Sequence, residues 1–219
     1  MRFSLVKSTI FLILYLILIF SSSIPNNQLI QIGIANNLQQ ANYINNWLFI
    51  TCHLILICCG LLLFKERFKQ SWKGYKQNFW QYLGFAILGM LGIIFVSSLF
   101  NFNTANQNSL WLMMSQMTSL QKIFFIVVLT FIGPINEELV FRQILIGEFS
   151  QYLSKWLLLI ISSFLFGILH IPSLNLFYQT LPYLGSGLIL GLVYIKSKDN
   201  VLCSASVHWL NNLLSLILK

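Results

Sequence analysis

Acidic residues are nearly absent from this chain. Its 219 residues include five Asp and Glu, and charged residues of both signs make up 8% of the total, against roughly 25% in soluble domains. That shortage excludes an ordinary globular domain with a water-facing surface. With 57% hydrophobic residues and a mean hydropathy of +0.77, it indicates an integral membrane protein. The length allows one compact bundle and no separate soluble domain. The net charge of +8 does not point to nucleic acid, because the cations sit between apolar runs, as they do in cytoplasmic loops. Cysteine is scarce too. Cys52, Cys58, Cys59 and Cys203 form no CxxC pair and no zinc-type spacing, so they read as small buried hydrophobes. No internal repeat and no domain linker is found.

Long apolar runs are what the chain has instead. A spanning helix needs ~20 mostly apolar residues. Seven stretches qualify, at about 8–25, 46–64, 80–100, 122–147, 154–171, 175–196 and 201–218. Arg2 and Lys7 ahead of the first run give it the look of a signal peptide, but no convincing small-residue cleavage site follows Ser21-Ser22-Ser23, and a retained span is expected. The segment from Leu110 to Leu120 is too short to span and predicts an interfacial helix. The uncharged, Asn- and Gln-rich stretch 26–46 predicts a solvated loop. Pro134 predicts a break in the fourth run, since proline removes a backbone hydrogen bond.

The cations are one-sided if the spans alternate. Arg2, Lys7, Lys65, Arg67, Lys69, Lys73, Lys76, Lys155, Lys196 and Lys198 fall on one side, and only Lys122 and Lys219 on the other. The bias places the N-terminus in the cytoplasm and, with seven spans, the C-terminus outside.

Against this background two adjacent glutamates stand inside the fourth run, in Gly133-Pro134-Ile135-Asn136-Glu137-Glu138-Leu139-Val140-Phe141-Arg142. An unpaired charge there costs several kcal/mol, so an intramembrane ionisable residue is a functional-site hypothesis by default. On a helix Glu138 and Arg142 share a face, while Glu137 points ~100° away. Arg142 can hold one carboxylate, and the other faces a cavity. A buried ion pair alone needs only one glutamate; the surplus carboxylate must be protonated, hydrated, or near a histidine or metal. Two further groups lie in spans. Phe166-Gly167-Ile168-Leu169-His170 precedes Pro172, and His208-Trp209-Leu210-Asn211-Asn212 sets His208 and Asn212 on one helical face. Taken singly, His170 reads equally as a satisfied polar residue, and His208 with Asn212 as interhelical glue. Together, a carboxylate, two histidines and an amide are a hydrolytic set: a base for water, an imidazole to orient it, and donors for an oxyanion. His53, in the second run, has no acidic neighbour in sequence and reads as structural or interfacial.

The three motifs, EExxxR, FxxxH and HxxxN in order, resemble those of the CAAX-protease and bacteriocin-processing (CPBP, or Abi) intramembrane protease family. The resemblance covers about residues 120–215. It divides the chain into unmatched N-terminal spans over 1–110 and a catalytic membrane core over 111–219. It implies an all-α polytopic transmembrane bundle with its cavity among the C-terminal four spans, and a glutamate-dependent endopeptidase acting on a membrane-associated protein or peptide. By that analogy Glu137 is the general base, helped by His170. His208 and Asn212 form an oxyanion hole or complete a metal site, Arg142 positions the glutamates, Glu138 supports them and Phe166 lines the cavity. Glu137, His170 and His208 also form a ligand set for zinc with one position left open. The implied setting is the bacterial cell membrane, with lipid and a peptide or protein substrate as partners and no nucleic acid, in bacteriocin processing or self-immunity. Two other classes compete. A non-catalytic bacteriocin-immunity protein needs no chemistry. A transporter or proton relay also uses intramembrane Glu and His, but no inverted repeat accompanies them here.

One geometric demand follows. As the spans are drawn, Glu137 and His208 lie near mid-span and His170 several ångströms further out, at ~1.5 Å of rise per residue. The fifth span must be tilted or short for them to meet.

Overall fold

All seven apolar runs form helices, in order. The computed structural model describes residues 2–22, 24–100 and 102–217; Ser23 and Lys219 lie outside them. The helices are α1 (Arg2–Ser21), α2 (Asn26–Gln31), α3 (Leu38–Leu63), α4 (Lys65–Gln77), α5 (Phe79–Ser98), α6 (Ala105–Ser115), α7 (Ser119–Val127), α8 (Gly133–Glu138), α9 (Lys155–Ile168), α10 (Thr180–Lys196) and α11 (Val201–Ile217). Among the described residues there is no strand. The fold is an all-α polytopic helical bundle. Four helical runs, Leu38–Leu63, Phe79–Ser98, Ser119–Gln151 and Leu174–Lys196, are long and apolar enough to cross a membrane. Leu5–Ser21, Lys155–Ile168 and Val201–Ile217 are apolar but shorter. The outer surface agrees with a lipid setting. Leu62, Leu88, Leu91, Phe95, Ile123 and Ile160 are all more than half exposed, an apolar surface that water would not tolerate on a soluble monomer.

The core is built where the spans meet the run that carries the glutamates. Phe11 and Tyr15 of α1, Leu56 of α3, Leu139, Phe141 and Ile144 beyond α8, Leu158 and Phe166 of α9 and Tyr194 of α10 form one buried cluster. A second, around Tyr82, Ile93, Leu190, Cys203 and Val207, joins α5, α10 and α11. Helices α9 and α10 touch closely at Gly187, where a Cβ would stand 3.0 Å from Ser163 Cα. Small residues permit such approaches between apolar helices, where dispersion replaces the hydrophobic drive. The four cysteines are free. Cys52 and Cys203 are buried as expected, but Cys58 is exposed on the outer face.

Three sequence expectations are corrected. The stretch 26–46 is not a loop. It forms α2 and the first turns of α3, because its amides bond one another: Asn26 bonds Asn42, and Asn45 Nδ2 donates to Asn26 Oδ1 at 2.5 Å and to Ile24 O at 2.9 Å. The basic segment 65–77 is helical as well. Its cations occupy the exposed face of α4, so what looks like a charged loop is an amphipathic helix lying across one end of the bundle. Pro134 does not break its helix. The run Ser119–Gln151 is continuous and widens to π geometry over Val128–Ile132 and Leu139–Glu148. Gly133 N–H bonds back five residues to Val128 O. The proline and the two glutamates thus sit in a short α segment between two π segments, a feature frequent at functional sites. The segment 110–120 includes the end of α6, which has no buried residue. Thr104 caps α6, its side chain accepting from Gln107 N.

Candidate active site

Glu138 and Arg142 lie together at the centre of the bundle, both with fully buried side chains, with Arg142 Nε 3.3 Å from Glu138 Oε2. That contact is a charge pair without hydrogen-bond alignment, as Nε and Oε2 have no hydrogen-bonded partner. The guanidinium is held from other sides too. It stacks 4.9 Å from the centre of the Phe166 ring and donates from Nη2 to Gly187 O at 3.4 Å. Phe166 in turn meets Phe141 edge-on at 5.2 Å. Arg142 is therefore enclosed by aromatic faces, which suit a desolvated guanidinium.

Glu137 points elsewhere, into a cavity of ≈ 360 Å³. Its side chain is 20% exposed, and its Oε2 is buried without a hydrogen-bond partner. Two imidazoles flank that oxygen, His208 Nε2 at 3.7 Å and His170 Nε2 at 4.0 Å. The ring orientations are set from behind. His170 Nδ1 lies 2.7 Å from Phe166 O, and its ring stacks on Tyr183 at 4.5 Å. His208 Nδ1 lies 3.1 Å from Glu138 Oε1. With the Nδ1 protons donated to these oxygens, both Nε2 lone pairs face Glu137. Three acceptors then converge with no donor between them. At separations beyond 3.5 Å such groups are bridged by water. The pairing logic is closed: Arg142 neutralises Glu138, Glu138 orients His208, and Glu137 is left to the cavity.

The depth problem resolves through length. Helix α9 is 14 residues long and ends at Ile168, so His170 drops to the level of Glu137. Asn212 is placed differently from a free donor. Its Nδ2 donates to Leu129 O at 2.9 Å. Leu129 O is the carbonyl that residue 134 would reach in π register, five residues on, and proline has no N–H to give it. Trp209 Nε1 makes a parallel bond to Phe131 O at 2.9 Å. The α11 side chains thus complete the backbone of the glutamate helix, and one N–H of the Asn212 amide is left over. Replacing Asn212 with leucine should destabilise the protein by ~1–3 kcal/mol through the orphaned carbonyl. Adding Pro134→Ala should recover part of that loss by restoring an N–H. Thermal unfolding in detergent measures both, and an unchanged melting temperature for Asn212→Leu would remove this account.

Two cavity residues escape a reading of motifs. His53 lies on the cavity wall. Its Nε2 is 3.9 Å from where a Cβ on Gly133 would stand, so α3 packs directly on the glutamate helix there. Asn136 Nδ2 bonds His53 O at 3.0 Å and fixes that approach. Tyr183, whose hydroxyl pairs with Thr104 Oγ1 at 2.6 Å, backs His170. Neither belongs to a local pattern with the glutamates. The buried amide at Asn136, next to Glu137, was the one sequence sign that another helix must come close.

A zinc site would need three ligands at ~2.0–2.2 Å from one ion, hence about 3.3 Å apart in a tetrahedral set. Among the described residues no group of three His, Cys, Asp or Glu side chains is placed to hold a metal ion. Glu137, His170 and His208, at 3.7 and 4.0 Å, stand wider apart than such a set, and no step below runs through a metal.

The glutamate helix, α9, α10 and most of α11, which build this arrangement, lie within residues 119–214. Residues 119–214, less than half of the chain, are similar to the family described as type II CAAX prenyl endopeptidase Rce1-like. The family that the three motifs resemble is the one that the match returns. The Rce1-like segment is also similar in length to the part shared with a curated relative, an uncharacterized protein of Mycoplasma capricolum subsp. capricolum. The two are 38% identical over 96 residues, or 44% of this chain. The shared part spans 27% of that relative's length. No solved structure matches the chain.

Proposed function

We propose that the protein is an intramembrane endopeptidase in which Glu137 activates water against a peptide bond of a membrane-associated protein or peptide. The observation that carries this reading is the isolation of the Glu137 carboxylate. It is cavity-facing, unpaired, and flanked by two imidazole nitrogens, while its neighbour is neutralised by Arg142. Water held between Glu137, His170 and His208 gives a proton to Glu137 as its oxygen attacks the carbonyl carbon. The tetrahedral oxyanion is met by the remaining Asn212 N–H, while the Glu138 carboxylate holds His208 in place through its Nδ1. The C–N bond then breaks, and Glu137 returns the proton to the leaving amine. Arg142 and Phe166 keep Glu138 and the histidine backing in place. The Rce1-like match supports a CAAX-type peptidase in general. The setting we favour is bacteriocin processing or self-immunity in a bacterial cell membrane, following the motif resemblance.

Purified protein incubated with membrane-anchored peptides should release two fragments whose masses sum to the substrate plus one water. Glu137→Gln protein should release none. Chelation with 1,10-phenanthroline separates zinc from water chemistry, and undiminished cleavage is the expected result. Binding without fragments would favour an immunity role, and proton flux without fragments a relay; either would sink the peptidase reading.

A further inference from the structure

Most of the cations lie at one end of the bundle, with Lys122 the exception among the described residues, and the cavity opens at the other. At one end Arg67 of α4 pairs with Glu148 at 3.2 Å, Lys155 with Asp199 at 2.6 Å, and Asn200 Nδ2 bonds Ser71 O at 2.8 Å. Tyr82 hydroxyl donates to Ser197 O at 2.9 Å. These contacts gather α4, the turn before α9 and the turn between α10 and α11 into one face. That face holds the five cations of α4 with Lys155, Lys196 and Lys198. The start of α1 joins it, because Phe11 meets Phe64 at 5.5 Å and Lys7 lies one turn nearer the terminus.

The cavity runs the other way. Its walls come from the end of α1 (Ser22), the end of α5 (Ser97), α6 (Trp111), the start of α10 (Tyr183) and the last turns of α11 (Ser215). Since neighbouring spans alternate in direction, all of these lie at the end remote from α4. Among the described residues no Lys or Arg lines the cavity, and Glu137 is the one acidic residue that does. The rim at α6 is uncharged: Asn106, Gln107 and Trp111. Lysine and arginine collect on the cytoplasmic side of membrane proteins.

We propose that the site is served from the extracytoplasmic face, and that its substrate is a neutral or cationic peptide segment presented there, a secreted peptide or an exported stretch of a membrane protein. A cytosolic tail would have to cross the bundle to reach Glu137. An acidic segment would meet that carboxylate with no cation to offset it, since Arg142 is already engaged. This inference rests on the peptidase reading for its chemistry and on the charge distribution for its direction.

Thiol accessibility in cells tests the direction without any cleavage assay. The four native cysteines are changed to alanine in the full chain. Single cysteines are placed at Gln107 and Ser109, exposed residues of α6, and at Lys73, an exposed residue of α4. A membrane-impermeant maleimide should label Gln107→Cys and Ser109→Cys in intact cells as fully as in permeabilised ones. Lys73→Cys should react only after permeabilisation. The reverse pattern, or equal labelling of both ends in intact cells, overturns the proposal. The two cysteines on α6 guard against one variant that fails to fold. Reversed labelling with intact cleavage would leave the Glu137 chemistry standing. Absent cleavage with the expected labelling would remove the chemistry and keep the orientation. For purified protein cutting a peptide series, replacing neutral residues beside the scissile bond with Asp should lower the rate and replacing them with Lys should not.

Discussion

Replacing Glu137 with glutamine is expected to lower peptide hydrolysis by roughly 10²–10⁴-fold, the range that general-base catalysis supplies. The amide keeps the size of the carboxylate and loses its basicity. Stability should move little, or upward. Glu137 has two imidazoles at 3.7 and 4.0 Å and no Lys or Arg within ion-pair distance among the described residues, so its removal breaks no strong pair and relieves a charge that is expensive in this setting. A loss of activity joined to an unchanged or raised melting temperature is what a functional carboxylate produces, whereas a structural one gives the opposite pair of results. His170→Ala and the double variant Glu137→Gln/His170→Ala should be nearly as inactive as Glu137→Gln alone, because groups acting on one water do not contribute additively. Initial rates with one fluorogenic peptide, and melting curves on the same preparations, decide both points. Glu137→Gln protein that retains more than about a tenth of the activity would sink the general-base assignment.

The helices were legible because apolar runs of ~20 residues have few alternatives in lipid. The site was legible because charge there is expensive, so that Glu137, Glu138 and Arg142 stand out against the surrounding residues. What escaped depended on partners distant in sequence. The stretch 26–46 reads as a loop until Asn26, Asn42 and Asn45 are seen to satisfy one another. Helix α4 reads as a loop because its cations hide the face that packs against Asn200. Pro134 reads as a break because the rule for proline assumes α register; two side chains from α11, eighty residues on, supply what the backbone lacks. His53 carries no local sign of its neighbours at all, and only the approach of α3 at Gly133 brings it to the cavity.

Removing one partner of the Glu138–Arg142 pair should destabilise the protein by ~3–5 kcal/mol, the cost typical of leaving a buried charge uncompensated. Both side chains are fully buried. Arg142→Met leaves Glu138 with no cation and with the His208 imidazole at 3.1 Å as its hydrogen-bond partner. Glu138→Gln leaves the guanidinium with aromatic faces and one long bond to Gly187 O. Removing both charges together should cost much less than the sum, because a buried pair replaced by neutral groups of similar volume is often close to neutral. The double-mutant cycle in detergent should therefore show a coupling of more than about 1 kcal/mol; additive single effects would mean that the two charges are independently solvated. The double variant also separates fold from function. If it melts near the parent temperature but cleaves poorly, the pair is there to hold His208 through the Glu138 Oε1 contact, since that contact loses its charge while the helices stay packed. A Glu138→Gln/Arg142→Met protein with the parental rate would instead leave the pair with no task beyond packing.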